Sequence, residues 1–139
     1  MDQKTTRTFL RTNFTVAPAK VYPGKDYGFV TFFDCLHDMD DPIGAAAHVR
    51  SPLKPDGTWM VVEPCAEDLT EANHNPVGPV FYSASTLLCV PASLSQEVGA
   101  AMGAQAGEQR IAEIVAAGGF QHFRRAAQTP FNLLFEARP

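Results

Sequence analysis

One histidine and several carboxylates follow directly on an apolar stretch: Phe29-Val30-Thr31-Phe32-Phe33 leads into Asp34, His37, Asp38, Asp40 and Asp41. A second apolar stretch, opening at Thr58, closes on Glu63. Imidazole, with an unperturbed pKa of about 6.5, suits the removal of a proton near neutral pH, and a carboxylate beside it can orient the ring and stabilise its charged form. If the two stretches are neighbouring parallel strands, about 4.8 Å apart, His37 and Glu63 face one crevice as a base and its orienting partner. Each also admits a plainer role: His37 as a loop histidine bonded to backbone, Glu63 as the ion-pair partner of a Lys or Arg. The set His37, Asp38, Asp40 and Asp41 has metal-ligand types, but polar residues crowded on one loop are usually solvated or capping, and no metal site is expected. His48, His74 and His122 are expected at the surface or in the core, and the aromatics Phe9 and Phe14 in the core. The pair Phe81-Tyr82 is a candidate for substrate contact.

The elements that must position these groups follow from periodicity and breakers. Phe29 to Phe33 is a near-continuous apolar run, which fits a strand covered on both faces, as in a parallel sheet. Asp41-Pro42 starts a helix, Asp as the cap and Pro in the first turn, and Ser51-Pro52 ends it. Lys54-Pro55-Asp56-Gly57 is a turn before a second strand, Thr58 to Glu63. The two strands with their helix form a βαβ unit, whose crossover is expected to be right-handed. Upstream, residues 1–11 are a polar lead-in or the tail of a helix. Asn13 to Ala17 reads as a short strand stopped by Pro18, and Tyr22 to Asp26 as a turn. Downstream, residues 64–91 are the least regular, with Val80 to Val90 helical and a substrate-facing insertion expected there. Ser93 to Gln96 reads as the start of another short helix. Glu108 to Gly118 is an amphipathic helix with Ile111, Ile114 and Val115 on its apolar stripe. Phe120 to Ala127 and Phe131 to Ala137 form an antiparallel hairpin around Gln128-Thr129-Pro130.

Composition narrows the class. At 139 residues the chain is one domain by length, and 45% apolar with 19% charged residues is ordinary for a globular core. A net charge of −4 with scattered Lys and Arg disfavours nucleic acid as a partner. The three cysteines, Cys35, Cys65 and Cys89, form no CxxC pair, so reduced thiols of a cytoplasmic protein are expected rather than a disulfide framework or structural zinc. No apolar run reaches the ~18 residues of a membrane span, and the N-terminus lacks the apolar region of a secretory signal, so no membrane association is expected.

Taken in order, Leu36-His37-Asp38-Met39, Lys54-Pro55-Asp56-Gly57 and Val62-Glu63-Pro64, followed by an insertion, a helix, Gly118-Gly119-Phe120 and a hairpin, resemble the carboxyl-terminal half of class I S-adenosylmethionine-dependent methyltransferases. The closest pattern is that of the small-molecule O-methyltransferases with a His-Asp-Met or His-Asp-Trp motif, over roughly Val16 to Arg138. The resemblance implies an α/β fold: a partial Rossmann-like sheet keeping the third to seventh strands of the family, with a C-terminal antiparallel hairpin, so that 1–139 is a single truncated methyltransferase-like domain. It implies S-adenosylmethionine as cofactor, a histidine base at His37, a flanking glutamate at Glu63, and Phe33 and Asp34 nearest the cofactor. The family's glycine-rich loop after its first strand has no counterpart here, and Pro18 stands where relatives carry an acidic residue near the adenine.

Loss of the first two strands would leave Phe29 to Phe33 as an exposed apolar edge, which invites pairing with another chain. The expected partners are therefore a small-molecule methyl acceptor together with a second copy of the chain or a separate amino-terminal half. Three functional readings follow: an enzyme half that is active with a partner supplying the missing loop; a non-catalytic interaction or regulatory module; and an inactive remnant of a truncated methyltransferase.

Overall fold

The computed structural model describes residues 12–139. The polar lead-in of residues 1–11 and the core role of Phe9 lie outside the described residues. Strand β1 (Tyr27–Phe33) pairs in parallel with β2 (Leu53–Pro64), and the register runs from Phe29 opposite Thr58 to Phe33 opposite Val62. Helix α1 (Pro42–Arg50) connects them. The last strand, β4 (Asn132–Arg138), enters antiparallel on the other side of β2, and β3 (His122–Gln128) closes the hairpin outside it. The sheet order is β1-β2-β4-β3. This is the mixed sheet expected of an α/β protein with a C-terminal hairpin.

Local chemistry explains where α1 begins. Asp41 accepts a hydrogen bond from the Gly44 amide at 2.8 Å, satisfying one of the free amides of the first turn, and Pro42 occupies the first helical position. Its small residues serve close approach: Ala45, Ala46 and Val49 are fully buried. The long amphipathic helix α4 (Gly107–Ala117) packs against α1, and a Cβ placed on Gly118 would lie 2.5 Å from the Ala46 Cβ. Only glycine allows that spacing.

The core is built on β2. Trp59 and Val61 are fully buried, with Phe32 edge-on to Trp59 at 5.2 Å and Phe120 on its other flank at 5.2 Å; Phe123 stacks on Phe135 at 5.0 Å. Ile111, Ile114 and Val115 from α4 cover this surface, the stripe that the sequence marks. Between β2 and α4 the chain is irregular but organised. The buried Asn73 donates to the carbonyls of Glu67 and Leu69 and accepts from the Glu67 amide. A helical rod follows: α2 (Gly78–Ala84), a π-helical turn (Ser85–Cys89) and α3 (Val90–Leu94). Ser93 and Leu94 thus form the end of this rod rather than the start of another helix.

Three expectations are corrected. Asn13 to Ala17 forms no strand: residues 12–18 have no regular structure and are exposed, Phe14 and Val16 included. The third family strand is therefore absent from the sheet. A strand needs a hydrogen-bonding neighbour and an apolar face to rest on, and this segment has neither among the described residues. Second, β1 is not covered on both faces; Val30 and Phe32 pack on the core, while Phe29 (57% exposed) and Phe33 (60%) point outward. Third, Lys54 to Gly57 is a bulge inside β2 rather than a turn before it, since the partner of Tyr27 is Leu53 and that of Phe29 is already Thr58. The Gly57 position lies against the Tyr27 carbonyl, where a Cβ would come within 2.9 Å.

Candidate active site

The parallel β1–β2 register puts Phe33 opposite Val62, so the residues just beyond both strand ends share one rim of the sheet. A short 3-10 turn (Leu36–Asp38) after β1 brings His37 back over the end of β2. There Glu63, 1% exposed, receives two hydrogen bonds: the Leu36 amide donates to Oε1 at 2.9 Å and His37 Nδ1 donates to Oε2 at 2.5 Å. Glu63 therefore anchors both the backbone of the turn and the ring it carries. With Nδ1 engaged as donor, the lone pair of the neutral imidazole is on Nε2, the arrangement required of an oriented base. Of the two roles left open for Glu63, this structure pairs it with histidine and not with Lys or Arg.

Electrostatics sharpen the picture. Burial alone would depress the His37 pKa, but the hydrogen bond and charge of Glu63, with the charges of Asp38 and Asp34, outweigh it and leave it above the usual histidine value. The Nε2 atom lies 3.3 Å from Asp38 Oδ1. Cys89, at the end of the π-helical turn, stands over the same corner; its sulfur, a ring nitrogen of His37 and an Asp38 oxygen all lie within 4.8 Å of one another. Burial and the neighbouring Asp38 push the Cys89 thiol up to about 11. Cys35, on the other flank, is also pushed up to about 11, by burial and then by the charge of Glu63. Both thiols are thus protonated at neutral pH.

The rod that carries Cys89 is tied to the His37 loop. Ser93 Oγ donates to the Met39 carbonyl and accepts from the Ala101 amide, both at 3.0 Å, and the Ala100 amide donates to the Asp40 carbonyl at 2.8 Å. His37 is consequently only 4% exposed. Beside it opens a cavity of 690 Å³ lined by Ala19, Lys20, Cys35, Asp38, Asp41 and Glu97 among others. His37 itself does not line this cavity; its neighbours Cys35 and Asp38 do.

The remaining candidates divide. Asp34, at the tip of β1, adopts φ +45°, a left-handed conformation costly for a non-glycine residue, and Asn132 of β4 holds its carboxylate at 3.0 Å. Phe33 precedes it on the open face of β1. Phe81 and Tyr82 are not brought to His37: they lie on α2, and Tyr82 lines a separate hollow of 330 Å³ with Ser83, Thr86 and Leu87. Of the carboxylates near the turn, Asp40 and Asp41 pair with Lys20 (3.8 and 3.3 Å) instead of joining His37. Sequence reasoning missed Cys89, whose placement depends on a π-helical turn that no local pattern announces. It also missed Asn132, which reaches Asp34 only because β4 lies next to β2.

No protein-family model and no curated protein matches this sequence. Solved structures do. Human N-acetylserotonin methyltransferase in complex with SAM superposes with a TM-score of 0.66 at 18% identity, over 91% of this chain and 33% of that one. TnmH gives a TM-score of 0.72 at 14% identity, over 96% and 37%. An O-methyltransferase family protein from Burkholderia thailandensis gives 0.63 at 18%, over 97% and 38%. The chain therefore has the fold of the C-terminal portion of class I methyltransferases, and it spans about a third of the length of these structures.

Proposed function

We propose that this chain is the acceptor-activating part of a methyltransferase that uses S-adenosylmethionine to methylate a hydroxyl of a small molecule, with His37 as the general base and Glu63 as its positioning partner. The single observation that carries the reading is the buried bond between His37 Nδ1 and Glu63 Oε2 at 2.5 Å, at the carboxyl ends of adjacent parallel strands. Such strand ends are where open α/β sheets bind ligands. Proton removal at Nε2 raises the nucleophilicity of a hydroxyl held against it; Glu63 keeps the tautomer and stabilises the imidazolium that forms. S-adenosylmethionine supplies the electrophilic methyl group. The described residues fit it in part. The cavity lined by Cys35 and Asp38 offers one wall, while Phe33 and Asp34 are not among its lining residues, and no acidic side chain after a second family strand is present among the described residues to hold a ribose. A complete cradle then needs residues beyond the four-stranded sheet, from a second copy or a separate segment carrying the glycine-rich loop. Free cysteines and a net charge of −4 suit a reducing, cytoplasmic setting without nucleic acid as partner. Among the described residues no helix is long and apolar enough to cross a membrane.

A second reading is a non-catalytic interaction module. The cover that Cys89 and its rod place over His37, and the open apolar face of β1, favour it. Calorimetric titration with S-adenosylmethionine separates the two. Saturable micromolar binding by the chain, alone or with its partner, and methyl transfer abolished by His37→Ala support the enzyme. No binding at millimolar cofactor in either state overturns it and leaves the module.

A further inference from the structure

The corner formed by His37, Asp38 and Cys89 gathers a donor set of which base catalysis uses the His37 ring alone. We infer that these three side chains form a binding site for a thiophilic divalent transition-metal ion, of which zinc is the natural occupant. A His nitrogen, an Asp oxygen and the Cys sulfur lie within 4.8 Å of one another, and the His37 Nε2 to Asp38 Oδ1 separation is 3.3 Å. Zinc–ligand bonds of about 2.0–2.3 Å at tetrahedral angles put donor atoms about 3.3–3.8 Å apart, so small side-chain rotations close the set around an ion.

Three further features of the corner point the same way. Asp38 Oδ1 is buried and meets no partner in hydrogen-bonding geometry among the described residues, its neighbours being His37 Nε2 at 3.3 Å and the Cys89 thiol, although the rest of its carboxylate reaches solvent. An ion would satisfy it. Glu63 already holds Nδ1, which leaves Nε2 as the ligand atom and reproduces the carboxylate–histidine–metal relay that fixes ring orientation and raises ligand basicity. The π-helical turn Ser85–Cys89 carries one more residue per turn than an α-helix, and Ser93 ties the rod that follows it to the carbonyl of Met39, so Cys89 is held at this corner by its scaffold. Imidazole and thiolate together favour zinc over magnesium or calcium. Binding forms a metal–sulfur bond and releases the Cys89 thiol proton to solvent, so affinity rises with pH. The fourth position is left to water from the cavity that Asp38 lines.

The site stands whether or not the chain transfers methyl groups. If it does, an ion on Nε2 occupies the lone pair the base needs, and the loaded chain is inactive. The test is a titration of the reduced, tag-free chain with cobalt(II), followed by displacement with zinc. One cobalt per chain with a near-ultraviolet thiolate-to-metal band, lost in Cys89→Ala and kept in Cys65→Ala, is the expected result. Asp38→Asn, which leaves the scaffold untouched should Cys89→Ala misfold, is expected to keep the band and weaken binding at least tenfold. Cobalt binding without a thiolate band, a band lost in Cys35→Ala but kept in Cys89→Ala, or affinity unchanged in Asp38→Asn would overturn the site.

Discussion

Glu63 does two things at one point: its Oε1 receives the Leu36 amide and its Oε2 the His37 ring, with almost no solvent reaching either. Removing the side chain strands a buried amide and a buried imidazole together, so Glu63→Ala is expected to cost about 3–5 kcal/mol, read as a lower urea midpoint at unchanged m value. Glu63→Gln keeps an acceptor for Leu36 but removes the charge, and separates anchoring from electrostatics. The native environment raises the His37 pKa, so protonated His37 is bound more strongly in the folded chain than in the unfolded one. That contribution is complete below the unfolded value of about 6.5 and is lost as pH rises through the raised folded value. The stability gap between wild type and Glu63→Gln is therefore expected to be widest below pH ~6.5 and to shrink above it. An imidazole titration by NMR should place His37 above the usual histidine value in wild type and lower in the variant. Equal titration curves would show that Glu63 does not set the charge of the ring.

At the scale of elements, the site depends on where α1 starts and how closely it can lie against α4. The Asp41 cap holds the first turn immediately after the His37 loop. Asp41→Ala is expected to lower stability by about 1 kcal/mol, measured by chemical denaturation. Gly118→Val drives a methyl-bearing carbon against Ala46, including its backbone carbon at 3.0 Å, and neither helix has a flexible side chain there to yield. Overpacking of this kind costs about 1–3 kcal/mol. A thermal shift smaller for Gly118→Val than for Asp41→Ala would mean that the two helices separate without penalty. Helix α4 also shows the limit of local patterns. Its apolar stripe is written in its own residues, but the amide of Gln109 is satisfied by Asp68, far upstream in the irregular segment.

Across the whole molecule, the notable surface is the outer face of β1. Phe29 and Phe33 are more than half exposed, and among the described residues β1 pairs with β2 alone. An apolar edge of this kind is a template for another chain. The chain is accordingly expected to self-associate in sedimentation velocity, and Phe29→Lys with Phe33→Lys to shift it to monomer. Because both side chains are outside the core, the double variant should keep its stability within about 0.5 kcal/mol per site. A wild-type chain that stays monomeric at high concentration would remove self-pairing as the role of this edge.

Much of this was legible in the residues alone. The βαβ unit, the Asp41-Pro42 helix start, the α4 stripe and the hairpin are set by periodicity, capping and breakers, all interactions within a few residues of one another. His37 and Glu63 could be named because each follows or ends an apolar strand, and parallel strands bring their ends to one rim. The strand expected at Asn13 to Ala17, the covered outer face of β1, the cover of Cys89 over His37 and the grip of Asn132 on Asp34 were not so determined. Each depends on whether a distant segment is there to provide a ladder, a face or a side chain. Short-range pattern carries no information on that, so only tertiary packing could decide it.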